Sequence, residues 1–171
     1  TNLWPITLAP WALSVMAVGG TAIIPLPEPG DHQSNLTPVS TLALWAYSNL
    51  SDPRWTFGRR YLLLRQDPAA KAPVKIGAHV RQGWTGYVNA GVLFLKRFDV
   101  CPCGSYPDFG CSVEAYTNNE MLELETLGPV TTLSPSAVTE HVERWSLVPG
   151  VKTPANDDDV EPIAKRLAGG V

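Results

Sequence analysis

The chain has 171 residues, 44% apolar and 17% charged, with a formal net charge of −3. That is enough for one domain with a hydrophobic core, and the composition is not that of a disordered chain. The acidic balance and the lack of a Lys/Arg run exclude a nucleic-acid footprint, and no apolar run of about 18 residues is present to span a membrane.

In chain order, Trp4 to Leu8 and Ala12 to Met16 read as short strands around an Ala-Pro-Trp turn. Thr21 to Leu26 is a β-rich apolar run closed by prolines, and Pro27 to Pro38 is a loop by composition. Leu42 to Tyr47 follows as a strand, and Ser48 to Gly58 as a turn-rich segment. Tyr61 to Arg65 and Val74 to Val80 are strands, the second interrupted at Gly77. Trp84 to Val88 and Val92 to Phe98 flank Asn89-Ala-Gly91, which reads as a hairpin turn with glycine supplying positive φ. Ser112 to Tyr116, Met121 to Leu127, Val130 to Leu133 and Val138 to Val148 complete the series. The pattern predicts an all-β fold, an antiparallel β-sandwich over residues 1–148. Residues 149–171 are a loosely attached tail, with a solvated run at Asp157-Asp158-Asp159 and a weak helical pattern through Ile163, Ala164 and Leu167.

Three cysteines cannot all pair within the chain, which favours a reducing compartment. The opening residues lack the basic stretch of a secretory leader, so the expected location is cytoplasmic. Cys101, Cys103 and Cys111 have metal-ligating side chains, and His79 or His141 would complete a set of four. Their spacing matches no standard zinc pattern, and free thiols are the plainer reading.

The carboxylates are the most informative feature, because so many of them fall on strands. Glu123 and Glu125 alternate with Leu122, Leu124 and Thr126, so a period of two puts both glutamates on one face. Like charges on one face repel, and a cation, sugar hydroxyls or water must relieve them. Glu114 and Tyr116 share a face of the preceding strand, and pairing of the two strands would gather a carboxylate patch. Its oxygens suit calcium, the one cofactor the pattern allows. Lys96 could neutralise the patch, most simply as an ordinary cross-strand pair. On the last strand His141, Glu143 and Trp145 share a face. Such residues could divide acid and base roles, with Trp145 stacking on a sugar ring. Solvated outer-face residues beside an edge tryptophan are the alternative. Arg59 lies in an Arg-aromatic cluster with Arg54, Trp55, Phe57 and Arg60 that could shape a sugar site or cap the sandwich.

Leu8-Ala-Pro-Trp-Ala-Leu13, Leu93-Phe-Leu-Lys-Arg-Phe98, Tyr106-Pro-Asp-Phe-Gly110, Glu123-Leu-Glu-Thr-Leu-Gly-Pro129 and Glu140-His-Val-Glu-Arg-Trp145 together resemble an uncharacterised bacterial domain family. That family is similar to the galactose mutarotase-like, or aldose 1-epimerase-like, β-supersandwich. The resemblance implies a sugar bound on a concave sheet face, a late-strand carboxylate as base and a histidine as acid; Glu143 and His141 are the local candidates. It also implies that the chain matches the C-terminal part of such a domain, leaving strand edges that a second copy would cover as a homo-oligomer. The expectation is therefore a carbohydrate-active protein acting on a glycoside or free sugar, like a glycoside hydrolase or epimerase. Its catalytic candidates are Glu143, His141, Glu123 and Glu125, and its substrate-binding candidates are Trp145, Arg59, Lys96, Glu114 and Tyr116. A non-catalytic carbohydrate-binding module and an oligomeric structural fragment are the alternatives.

Overall fold

A computed structural model describes residues 2–168. The strands are β1 (Ile6–Leu8), β2 (Trp11–Met16), β3 (Thr21–Pro25), β4 (Leu42–Leu44), β5 (Trp55–Phe57), β6 (Tyr61–Arg65) and β7 (Val74–Ala78). They continue with β8 (Trp84–Asn89), β9 (Val92–Phe98), β10 (Val113–Thr117), β11 (Leu122–Leu127), β12 (Thr131–Leu133) and β13 (Glu143–Pro149), followed by a helix over Asp157–Ala168. A five-stranded sheet of order β2-β11-β10-β7-β4 packs on a six-stranded sheet of order β13-β9-β8-β3-β6-β5, and β1 pairs with β12 in a small ribbon. Every pairing is antiparallel, so the fold is the expected all-β sandwich.

The core follows from alternation. Ile76, Val113, Ala115, Leu122 and Leu124 of one sheet meet Ala22, Ile24, Leu62, Leu64 and Phe98 of the other. Strand β3 is buried along its whole length, as its unbroken apolar run demands, because its second face is covered as well. Ile23, Leu63, Val88, Leu93 and Leu95 on that second face pack against Val160 and Ile163 of the C-terminal helix.

The tail is thus a third layer and not a loose appendage. Its acidic run is partly engaged: Asp157 Oδ2 accepts the backbone N–H groups of Arg59 and Arg60 at 2.7 and 2.9 Å. Gly58 makes room for that carboxylate, which lies where a Cβ would stand. Asn156 caps the helix by accepting the N–H of Asp159 at 3.2 Å.

Three local details depart from the sequence reading. Trp55–Phe57 is a strand, β5, inside the stretch read as turns. Residues 138–142 are not strand, because the partner β9 ends at Phe98, opposite Glu143. In the β8–β9 turn both Ala90 and Gly91 have positive φ, 48° and 78°, matching the two-residue turn that suits strand twist.

Candidate functional site

The outer face of the five-stranded sheet collects the carboxylates. Pairing of β10 with β11 sets Glu114 opposite Glu125 and Tyr116 opposite Glu123, so the expected patch forms. Pairing of β10 with β7 brings Lys75 beside Tyr116. The cation that relieves the patch is Lys75, not Lys96: its Nζ lies 2.7 Å from Glu114 and 2.9 Å from Glu125. Both carboxylates are fully buried, and the ammonium stands where a calcium ion would have to sit.

Two tryptophans enclose this triad. The Lys75 ammonium is 5.1 Å from the ring centre of Trp11 and 4.7 Å from that of Trp45. Trp11 Nε1 donates to Glu125 Oε2 at 2.8 Å. Trp11 is 54% exposed, so an indole held by its N–H looks outward from the sheet. Tyr47 packs edge-on against Tyr116 beside it, with ring centres 6.4 Å apart. Along the edge strand, Leu13 and Val15 stand exposed opposite Glu125 and Glu123.

The electrostatics follow from two carboxylates sharing one cation. Burial pushes the Glu114 carboxyl up to about 7, against the pull of Lys75. Its Oε1 has no hydrogen-bond partner, and the Asp108 carboxylate alongside favours the protonated form further. Burial opposes the charge of Lys75, but its bonds to the two glutamates outweigh burial and raise its pKa. Burial and the repulsion of Glu125 raise Glu123.

A second polar cluster lies on the opposite face of β11, inside the sandwich. Thr126 Oγ1 bonds His141 Nε2 at 2.8 Å and donates to Glu143 Oε1. A hydroxyl has one proton to give, so His141 is the donor of the first bond. Lys96 Nζ lies 2.7 Å from Glu143, with Leu124 O at 3.2 Å, and is fully buried. Trp145 Nε1 donates to Glu143 Oε2 at 2.8 Å while its ring is 61% exposed. Burial lowers both Lys96 and His141. Burial pushes Glu143 up, but the bonds from Lys96, Thr126 and Trp145 win and its pKa is lowered.

The sequence-derived candidates therefore divide. Glu114, Tyr116, Glu123 and Glu125 share the outer face. His141, Glu143, Trp145 and Lys96 meet on the sandwich-facing side at the β13 edge, with His141 preceding the strand rather than lying on it. The two sets do not form one face, because Glu125 and Thr126 are neighbours on a strand and point apart. Arg59 belongs to neither: it lies in the β5–β6 turn, at the sheet edge opposite β13. Arg54 is buried on Asp52 at 2.9 Å. Among the described residues, Cys101, Cys103 and Cys111 are free thiols and no group of three acidic, His or Cys side chains gathers for a metal.

Lys75, Trp11 and Thr126 were not singled out from the sequence. A lone lysine between Val74 and Ile76 on an apolar strand was the available signal for the first, and the spacing of Trp11, Leu13 and Val15 for the second. No family model, no curated protein and no solved structure matches this chain.

Proposed function

We propose that this domain binds carbohydrate on the outer face of its five-stranded sheet, around Trp11. The observation that carries the reading is an exposed indole fixed from behind by a buried Lys75-Glu125-Glu114 triad. A sugar stacks on an aromatic ring through its apolar face, and a ring already held in place loses little freedom when it does. Glu123 and Tyr116 lie further along the same face, beyond Glu125, as polar partners for sugar hydroxyls. A mutarotase-like relationship, the expectation from the sequence motifs, would put the sugar on a sheet face as well.

Binding without turnover is the form the geometry favours. Glu114 and Glu125 are buried on Lys75, and Glu143 is held by Lys96, Thr126 and Trp145. A catalytic carboxylate must reach the reacting atoms. Only the half-buried Glu123 among the outer-face glutamates is open to a ligand. A panel of glycans and glycosides, scored for binding and for turnover with the same protein, tests this. Binding that disappears in Trp11→Ala, with no turnover, supports it; hydrolysis or anomer exchange that disappears in Glu123→Gln would replace it with the enzyme reading.

For the self-association that the sequence resemblance leads us to expect, the feature that would serve is the β13 edge. Strand β13 is a sheet edge and exposes Trp145 and Leu147, a pairing edge with apolar side chains. Light scattering at micromolar concentration, repeated on Leu147→Lys, reads it directly.

A further inference from the structure

A cavity of about 600 Å³ opens between residues 38–41 and the 102–110 loop, at the end of the five-stranded sheet where β7 gives way to His79. Its wall includes Arg81, His79, Ser40, Thr41, Ser105 and Phe109, and no carboxylate. In a chain of net charge −3, a cavity of that size lined by a cation and no acid is a local positive site.

The lining carries unmet polar capacity. None of the ion pairs among the described residues uses Arg81. His79 Nδ1 is buried with no hydrogen-bond partner, which is costly unless something occupies it. Burial first, and then Arg81, lower the pKa of this ring, which favours the uncharged imidazole, a hydrogen-bonding group rather than a charge. Arg81 is thus the cation of the site.

One wall is also strained. Asp108, Phe109 and Gly110 have consecutive left-handed backbones, with φ of 49°, 63° and 99°. A bulky residue in that region is strained and persists only where its surroundings enforce it. They do: Cys111 N–H bonds Pro107 O at 2.8 Å, and Cys111 Sγ bonds Asp108 O at 2.9 Å. The Val130 N–H bonds Ser105 O at 2.7 Å, and Tyr106 accepts the Cys101 N–H at 2.9 Å. All this holds Phe109 at the cavity wall, 90% exposed, where packing gains little from it.

We propose that this cavity binds a small hydroxylated carboxylate: Arg81 takes the carboxylate, His79 and the Ser40, Thr41 and Ser105 hydroxyls take its hydroxyl groups, and Phe109 covers its apolar face. A guanidinium matches a carboxylate with two parallel bonds, and neutral hydroxyl and imidazole partners suit a polyol body. A sugar acid and a free hydroxy acid share this chemistry. The site is separate from Trp11 and does not depend on the reading given above.

The test is titration of the full chain, followed by NMR and calorimetry, with D-glucuronate and D-glycerate. D-glucose lacks the carboxylate and acetate lacks the hydroxyls. The expected result is that glucuronate or glycerate binds about tenfold tighter than glucose and acetate, as a charge-assisted pair requires. Shifts should centre on His79 and Phe109. Arg81→Gln, a substitution at an exposed side chain, should remove about tenfold of that affinity, while Trp11→Ala leaves it unchanged. Preference for glucuronate assigns the site to a sugar acid, and preference for glycerate to a free hydroxy acid. Equal binding of glucose and glucuronate overturns the proposal. So does an affinity that Arg81→Gln leaves intact, or no binding of either acid at about 10 mM, well above the weak-affinity range.

Discussion

Glu114 and Glu125 stand directly opposite each other across β10 and β11 and share a single ammonium, that of Lys75. Two buried carboxylates against one cation leave a net negative charge in a dry place if both ionise. The system avoids this by holding Glu114 protonated up to about pH 7.

This gives a pH dependence with a definite sign. The Glu114 carboxyl goes from an ordinary 4.5 to about 7 on folding, so the folded state binds the extra proton between those values. Its contribution to stability is complete below 4.5 and is lost as pH rises through 7. The loss is about 3 kcal/mol across the window, from 1.36 kcal/mol per pKa unit. Glu114→Gln, which mimics the protonated form, should flatten that decline. Urea unfolding at pH 4.5 and pH 8 for both proteins measures it; parallel profiles would show that Glu114 titrates normally.

Lys96 presents the opposite balance, one buried cation for one carboxylate. Lys96→Met leaves Glu143 charged and unpaired inside the sandwich, which costs about 3–5 kcal/mol. Lys96→Met combined with Glu143→Gln should recover most of that loss, because no charge remains buried. Denaturant midpoints of the single and double variants decide it. If the double variant is no more stable than Lys96→Met alone, the pair is not what holds this end of the sandwich.

The alternation of Leu122, Glu123, Leu124, Glu125 and Thr126 placed both sides of β11 correctly, because a period of two is a local property. The assignment of cations to carboxylates was not legible. Lys75 and Lys96 are equivalent in local pattern, and only sheet order and register put one beside Glu114 and the other beside Glu143. The alternation sets Thr126 on the face of Leu122 and Leu124, but its role between His141 and Glu143 depends on the segment leading into β13 crossing over it. Strand β5 went unread because its strand character comes from pairing with β6, in a stretch rich in turn-forming residues. The tail looked detached because its helical stripe is short; what it covers, the second face of β3, β6 and β9, is a tertiary fact.

That tail supports a third prediction. Ile163 and Val160 close the outer side of the six-stranded sheet, and Asp157 ties the helix start to Arg59 and Arg60. Ile163→Ala should destabilise the whole domain by about 2–4 kcal/mol, the usual loss for a large aliphatic side chain. Unfolding should stay a single transition when followed by helix-sensitive and by tryptophan signals. A separate early helix transition would mean that the tail is an independent unit.

The last prediction separates Trp11 from Trp145, two of the exposed tryptophans. Trp11 and Trp145 both donate their indole N–H to a buried glutamate, Glu125 and Glu143 respectively. They differ in what surrounds the ring. Trp11 looks out over a sheet face with Tyr116 and Glu123, whereas Trp145 packs edge-on against Phe94 at 5.4 Å on the β13 edge. If sugar binds on the sheet face, Trp11→Ala should cost about tenfold or more in glycan affinity, since aromatic contacts carry much of such binding. Trp145→Ala should leave that affinity unchanged and weaken self-association instead. Glu125→Gln keeps the ring but loosens its charged anchor, so its affinity should fall between those of the wild type and Trp11→Ala. Calorimetry with the tightest glycan of the panel ranks the variants. A loss in Trp145→Ala matching that in Trp11→Ala would move the sugar to the β13 edge.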